Sequence, residues 1–418
     1  MKRTALLLGL ICATAVAQTP PALNPPPTDP ALQEILDLSK PPARSEGGPR
    51  GASMLAQDAS ALRLRELGLA YLAKHPAGSD RARVVMALNT RRPSFIQEIK
   101  PGFDEKPSAD LIVYDTKARE AWTGELTKLL RSVAADATAS QEQRFKARSS
   151  AIQGTIYSAE TRAEVDALVT EITGLAGEPG GPEEAARLFN GMLYSAAGLG
   201  VKDFQGMLSG VAAGPVPELA AAAKTALDLL QSQQANIGKL KFTAADGREV
   251  DLQAMRGKVV LVDFWATWCG PCIAELPNVI SNYTTYHDRG FEIIGVSFEN
   301  SQLVDEGALA RLKSQREMLA QRNPEAAAKQ PPLPELDSAE VAKEKLAKAR
   351  QKMLDFVAQR GMPWPQHYDG KYWNNEFGKL FGIRAIPAMF LIDKQGNIVS
   401  TNARGERLGA EIKRLIEL

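Results

Sequence analysis

Seven almost wholly apolar residues, Val259-Val260-Leu261-Val262-Asp263-Phe264-Trp265, lead straight into Trp268-Cys269-Gly270-Pro271-Cys272. A run of that length and character predicts a strand buried on both faces. The Cys-x-x-Cys falls where such a strand must end and a helix begin. A helix start presents unpaired N–H groups and the positive end of the helix dipole. Both favour a thiolate at the first sulfur, and thiols so placed have pKa values lowered from about 8.5 into roughly the 3.5–7.5 range. Because the thiolate is the species that attacks disulfides, the segment predicts a redox pair suited to thiol–disulfide exchange.

The remaining cysteine strengthens that expectation. The chain begins Met1-Lys2-Arg3, continues with the apolar stretch Ala5 to Ile11, and reaches Ala15-Val16-Ala17 before Gln18. This order matches a secretory signal peptide over residues 1–17, and cleavage after Ala17 removes Cys12. The apolar core is too short to persist as a membrane span. A lipoprotein would want a small residue before Cys12, where Ile11 stands. The expected destination is therefore the periplasm or cell envelope. Only Cys269 and Cys272 then remain, too close in sequence to staple distant parts of a fold. Structural zinc wants four ligands, whereas His75, His287 and His367 are scattered without ligand spacing. Neither a metal nor another cofactor is expected. A net charge of +1 gives no reason to expect nucleic acid.

Residues 18–53 read as a disordered tether, since residues 18–50 hold nine prolines and little apolar surface to offset ordering entropy. From 54 to 234 the pattern is helical. Leu55, Leu62 and Leu69 recur at sevens, and Val165, Leu168, Val169 and Ile172 follow a Thr161…Glu164 capping box. Breaks near 76–80, 101–109, 177–182 and 214–217 divide the region into seven to nine helices, as an irregular bundle or a short α-solenoid. No catalytic constellation is visible there. From 236 the period changes. A hairpin around Asp246-Gly247 is followed by strand signals at 258–264, 291–298, 388–393 and 397–402, with helices at 271–288, 373–381 and 406–417. The expected architecture is an all-α N-terminal domain followed by an α/β domain, 236–418, with a mixed sheet covered by helices on both faces.

Residues 236–418 resemble the thioredoxin fold, and within it the exported TlpA/ResA/CcmG-like branch of thiol-disulfide oxidoreductases. The resemblance is carried by Gly257 through Cys272, by Glu275-Leu276-Pro277, and by Gly382-Ile383-Arg384-Ala385-Ile386-Pro387. Two departures stand out. Residues 303–355 exceed what the family places between that strand and the next helix, and they read as two charged amphipathic helices joined at Pro331-Pro332-Leu333-Pro334. The 54–234 region lies outside the resemblance.

The resemblance implies roles residue by residue. Cys269, at the exposed helix start, is the nucleophile, and the more enclosed Cys272 resolves the mixed disulfide, so the two form a redox-active disulfide. Asp263 lies beneath the cysteines as proton acceptor, with a solvated strand-end aspartate as the plainer alternative. Glu275, one helical turn beyond Cys272, is a second proton-transfer candidate or an ordinary helix glutamate. Pro387 corresponds to the family's cis-proline facing the pair, with Ile386 contacting substrate. Trp268, Gly270 and Pro271 complete the substrate-facing rim, while Trp265 is a core aromatic. Implied partners are protein disulfide substrates and an upstream thiol electron donor, with the protein acting as reductant. Two other functions were weighed. The helical region could be a docking adaptor with the redox domain as effector. A thiol peroxidase would want a threonine three before the reactive cysteine and a proline further upstream, where Ala266 and Val262 stand.

Overall fold

The computed structural model describes residues 29–41, 49–105, 111–156 and 158–418, with Ser79 described by its backbone alone. The expected signal peptide lies outside the described residues, as do 18–28 and 42–48 of the expected tether. The chain divides into two compact units, one ending at Ser94 and one beginning at Phe95.

The first unit holds α1 (Pro30–Ser39), α2 (Arg50–Lys74) and α3 (Ser79–Thr90). Helix α1 places ordered structure within residues 18–53, which the sequence reads as an extended, mostly disordered tether. Asp29 caps it and Pro30 starts it, while Leu32 and Ile35 are fully buried. Those two apolar side chains supply burial that a count of prolines does not reveal. In α2 the leucines spaced at sevens are not the buried face. Leu55 and Leu62 are exposed, and Ala61, Leu64, Gly68, Tyr71 and Leu72 are buried instead. The reason is close approach, because a Cβ on Gly68 would come within 2.8 Å of Leu88 on α3. A small-residue face lets helices come nearer than a leucine stripe would.

The second unit opens with a short antiparallel pair, β1 (Ile96–Ile99) and β2 (Ile112–Tyr114), which the helical expectation for this region did not include. Helices α4 (Thr116–Ala134), α5 (Gln141–Thr155), α6 (Arg162–Leu175), α7 (Gly181–Ala196), α8 (Val201–Ala212) and α9 (Pro217–Asn236) follow. The Thr161–Glu164 capping box is formed at the start of α6, and Val165, Leu168 and Ile172 are buried. This region is mostly helical, around a core that includes Leu188, Phe189, Met192 and Leu208.

Next come β3 (Lys241–Thr243) and β4 (Glu249–Asp251), an antiparallel hairpin. The main sheet uses β5 (Val259–Trp265), β6 (Phe291–Ser297), β7 (Gln366–Tyr368), β8 (Ala388–Ile392) and β9 (Ile398–Ser400) in the order β7-β6-β5-β8-β9. β5, β6 and β7 run parallel, whereas β8 and β9 are antiparallel to their neighbours. Central placement explains why every residue of β5 is buried. The three-residue edge strand β7 had no sequence signal, being too short and polar to show alternation. Helix α10 (Gly270–Tyr286) follows β5. The long segment after β6 forms α11 (Glu306–Arg322), α12 (Pro324–Ala328) and α13 (Ala339–Arg360), and α14 (Glu376–Leu380) and α15 (Glu406–Glu417) complete the domain. Together these elements form the expected thioredoxin-like mixed sheet with flanking helices.

Two features bear on the site. Helix α11 buries no residue, but α13 buries Ala349 and Met353, and Phe356 packs 5.6 Å from the Trp265 ring. The helical region is also tied to the sheet domain by specific polar contacts. The Gln233 side chain donates to the Phe381 carbonyl at 2.8 Å, and Gln234 accepts from Ile398 N–H at 2.8 Å. The Asn402 side chain donates to the Tyr194 carbonyl at 3.1 Å, and Arg407 donates to the Gly198 carbonyl at 3.1 Å.

Burial of Met353 predicts that Met353→Ala lowers stability by about 2–5 kcal/mol, whereas Leu312→Ala on α11 stays within about 0.5 kcal/mol. Urea unfolding of both variants checks this. Equal losses would show that α13 is no more part of the core than α11.

Candidate active site

Cys269 and Cys272 are joined by a disulfide at the start of α10, with their Cα atoms 5.2 Å apart. Cys269 is the helix N-cap, and its sulfur accepts a hydrogen bond from Cys272 N–H at 3.2 Å. The sulfur therefore takes the place that a serine or aspartate oxygen takes at other helix starts. Pro271 stands in the first turn, where its missing N–H leaves nothing unpaired. Both cysteines are only 4% exposed, so the expected contrast between an exposed Cys269 and an enclosed Cys272 is absent in the disulfide form. Gly270 and Pro271 are exposed.

The turn between β5 and α10 is fastened to the chain leaving β6. Phe298 N–H donates to the Trp265 carbonyl at 2.7 Å, and the Trp268 indole N–H donates to the Phe298 carbonyl at 3.0 Å. Thr267 donates to Glu299 through its backbone N–H at 3.2 Å and its hydroxyl at 2.6 Å. Cys269 N–H closes the turn on the Ala266 carbonyl at 3.1 Å. Trp265 itself is fully buried and donates to the Gln366 side chain at 2.9 Å. That bond requires Gly295 on β6, because a Cβ there would meet the Gln366 oxygen at 1.9 Å. Trp268 is 40% exposed and forms a rim with Tyr372 and Trp373, ring centres 5.1 and 6.1 Å away.

Two carboxylates stand on the elements that meet at the pair, Asp263 on β5 and Glu275 on α10. Asp263, in the middle of the wholly buried β5, is 3% exposed. Burial pushes its carboxyl up to about 7, with a further rise from the negative charge of Glu275. Glu275 is committed elsewhere, since its carboxylate accepts from Gly405 N–H at 2.7 Å and from the Asn278 side chain at 2.6 Å. Asn278 also donates to the Gly405 carbonyl at 2.9 Å, locking α10 to the start of α15. The Ile386–Pro387 peptide is cis, with Pro387 buried and Ile386 half-buried beside the core.

The sequence motif contains Thr267 without indicating a part for it, and local pattern does not single out Glu299, Lys352, Tyr372 or Trp373. Glu299 carried one signal, a charged residue directly following a strand that reads as buried. Lys352 carried none, lying 53 residues away on the inserted helix. Among the described residues no cluster of His, Cys, Asp and Glu could hold a metal ion, and no helix is long and apolar enough to cross a membrane.

Residues 220–326 match the Redoxin family. The thiol-disulfide oxidoreductase ResA of Oceanobacillus iheyensis is 44% identical over 59 residues, covering 14% of this chain and 31% of that protein. The ResA of Bacillus thuringiensis subsp. konkukian is 23% identical over 175 residues, covering 42% of this chain and 71% of that protein. Among solved structures, the thioredoxin domain of a thiol-disulfide oxidoreductase from Bacteroides vulgatus is 22% identical, with a TM-score of 0.27. It covers 42% of this chain and 92% of that one. A thioredoxin-family thiol:disulfide interchange protein from Chlorobium tepidum is 19% identical, with the same TM-score and coverage of 42% and 92%.

The Asp263 carboxyl links stability to pH. Its folded value lies above its ordinary 3.8, so the protonated group favours the folded state. That contribution is complete at low pH and is lost as pH rises from about 4 to about 7. Asp263→Asn in the oxidised protein is therefore expected to change stability little at pH 4 and to raise it at pH 8, by at most roughly 4 kcal/mol. Thermal unfolding at the two pH values checks this. An equal gain at both would mean that burial is not what raises the group.

Proposed function

Because its C-terminal part is a thioredoxin-like domain of the redoxin family, we propose that this chain is an exported thiol-disulfide oxidoreductase that reduces disulfides in protein substrates. The single observation carrying this reading is the Cys269–Cys272 disulfide at a helix start, its first sulfur already serving as the N-cap acceptor. An acceptor site that suits a neutral sulfur suits a thiolate better, since the hydrogen bond becomes charge-assisted and the helix dipole adds to it.

In the reduced protein, the Cys269 thiolate attacks one sulfur of a substrate disulfide. A mixed disulfide forms and the substrate's other sulfur leaves as a thiolate, which takes up a proton. Cys272 then gives its proton to the Asp263 carboxylate and attacks the Cys269 sulfur. The internal disulfide re-forms, and the second substrate sulfur leaves as a thiolate that takes up the proton held on Asp263. Two electrons pass to the substrate, with one proton from Cys272 and one from solvent, and an upstream dithiol donor must reduce the Cys269–Cys272 disulfide again. Asp263 suits the acceptor role because a carboxyl poised near 7 exchanges a proton readily at neutral pH. Glu275, held by Gly405 and Asn278, is assigned to shaping the Asp263 environment through its charge. Trp268, Gly270, Pro271, Ile386 and Pro387 are assigned to the substrate-facing rim. Export rests on the signal-like residues 1–17, and the direction of electron flow rests on the family resemblance.

A docking role for the helical region has separate support. Within the second unit its contacts through Gln233, Gln234, Tyr194 and Gly198 fasten it to the redox domain, so a partner bound to this part would be tethered to that domain. The region is proposed to bind partners whether or not the cysteines are present.

Cys272→Ser is expected to accumulate covalent complexes with substrate proteins, and Cys269→Ala to accumulate none. Non-reducing electrophoresis of both variants recovered from the native host checks this, and equal trapping by the two would sink the assignment. The wild-type potential is expected nearer to about −270 mV than to about −120 mV. Equilibration with a defined dithiol couple measures it, and a value at the oxidising end would reverse the proposed direction.

A further inference from the structure

Thr267, two residues before Cys269, is held by an ion pair, buried at its Glu299 end and exposed at its Lys352 end, that reaches into the long segment between β6 and β7. Glu299 is only 1% exposed, yet its two carboxylate oxygens are fully engaged. One accepts the Thr267 N–H and hydroxyl, at 3.2 and 2.6 Å. The other accepts from the Lys352 ammonium on α13 at 2.7 Å. Lys352 also donates to the Thr267 hydroxyl at 3.0 Å, which closes a three-membered ring of polar contacts under the turn. Glu299 N–H is anchored to the Ser297 hydroxyl at 3.2 Å, so the carboxylate is fixed from its own backbone as well.

We propose that Lys352 and Glu299 are positioning residues for the Cys269 thiolate: the glutamate holds the Thr267–Cys269 turn in register with α10, and the lysine cancels the charge that this requires. A carboxylate buried against the turn that carries Cys269 opposes a thiolate there when left unpaired, and the unpaired charge is itself costly to keep buried. Lys352 removes that opposition. Its side chain is 62% exposed and its backbone belongs to the inserted helix, anchored nearby by Met353. Through Lys352 the insertion thus reaches the redox turn. The ionisable groups beside this ring are Tyr368 on β7 and Lys348 and Asp355 on α13. Lys348 pairs with Glu344, and Asp355 accepts from Gln351. On the two elements that the turn joins, β5 carries Asp263 and α10 carries Glu275, which is bound to Gly405. The proposal deepens the exchange reading and rests on it.

The test uses the reduced full-length protein and two readouts: the pH profile of Cys269 alkylation by iodoacetamide, and the redox equilibrium with dithiothreitol. Lys352→Met is expected to move the alkylation midpoint upward and to slow alkylation at pH 7 by about tenfold, the effect of losing one charge-assisted contact. Lys352→Arg should stay close to wild type. The double variant Glu299→Gln/Lys352→Met, which removes both charges, should return the midpoint toward wild type. A merely structural role would lower the melting temperature of Lys352→Met and leave its midpoint in place, and that result would overturn the proposal. A double variant shifted as far as Lys352→Met would also overturn it. Failure of the wild type to exchange with dithiothreitol would instead strike the exchange reading, since alkylation reports the thiolate without requiring exchange.

Discussion

A strand buried along its whole length can end at a helix start only if the few residues between them find partners for every polar group they carry. Trp265 through Cys269 meet that demand almost entirely through one neighbouring segment. Phe298 and Glu299 answer the Trp265 carbonyl, the Thr267 N–H and hydroxyl, and the Trp268 indole, and the Cys269 N–H folds back on Ala266. Buried backbone groups left unpaired would cost about as much as the lost hydrogen bonds. The turn is thereby confined to one shape, and the position of the first sulfur at the helix mouth follows from it.

The same burial that shapes the turn gives Asp263 its character. A carboxyl in the centre of the sheet is costly to ionise, and natural proteins keep such groups mainly where the chemistry uses them. The sequence presents Asp263 and Glu275 as two comparable acids near one disulfide. In the fold they differ in kind. Asp263 has its carboxyl pushed up toward neutrality, while Glu275 is occupied in joining α10 to α15 and acts on Asp263 through its charge.

The inserted segment and the helical region meet the redox domain in different ways. Helix α11 lies on the surface, whereas α13 lends Met353 to the core, Phe356 to the face of Trp265 and Lys352 to the turn. The helical region meets the sheet near β9, α14 and α15 through amide side chains and Arg407, contacts that orient one part on another without requiring a large apolar interface.

Local pattern carried most of the redox domain. The apolar run, the Asp-Gly hairpin, the Cys-x-x-Cys and the C-terminal helix declare themselves within a few residues, because strand burial, turn chemistry and helix starts are decided by near neighbours. Helix α1 and the buried face of α2 do not show in local pattern for the opposite reason. Leu32, Ile35 and Gly68 are buried within a unit of three packed helices, which neither proline content nor leucine spacing records. The edge strand β7, the division between Asp263 and Glu275, and the Lys352–Glu299–Thr267 ring belong to the same class. Chain order alone determined that two sulfurs stand at the end of a buried strand. Which charges surround them was settled only when residues 32 to 85 positions apart were brought within hydrogen-bonding distance, since electrostatics depends on separation in space and on exclusion of water.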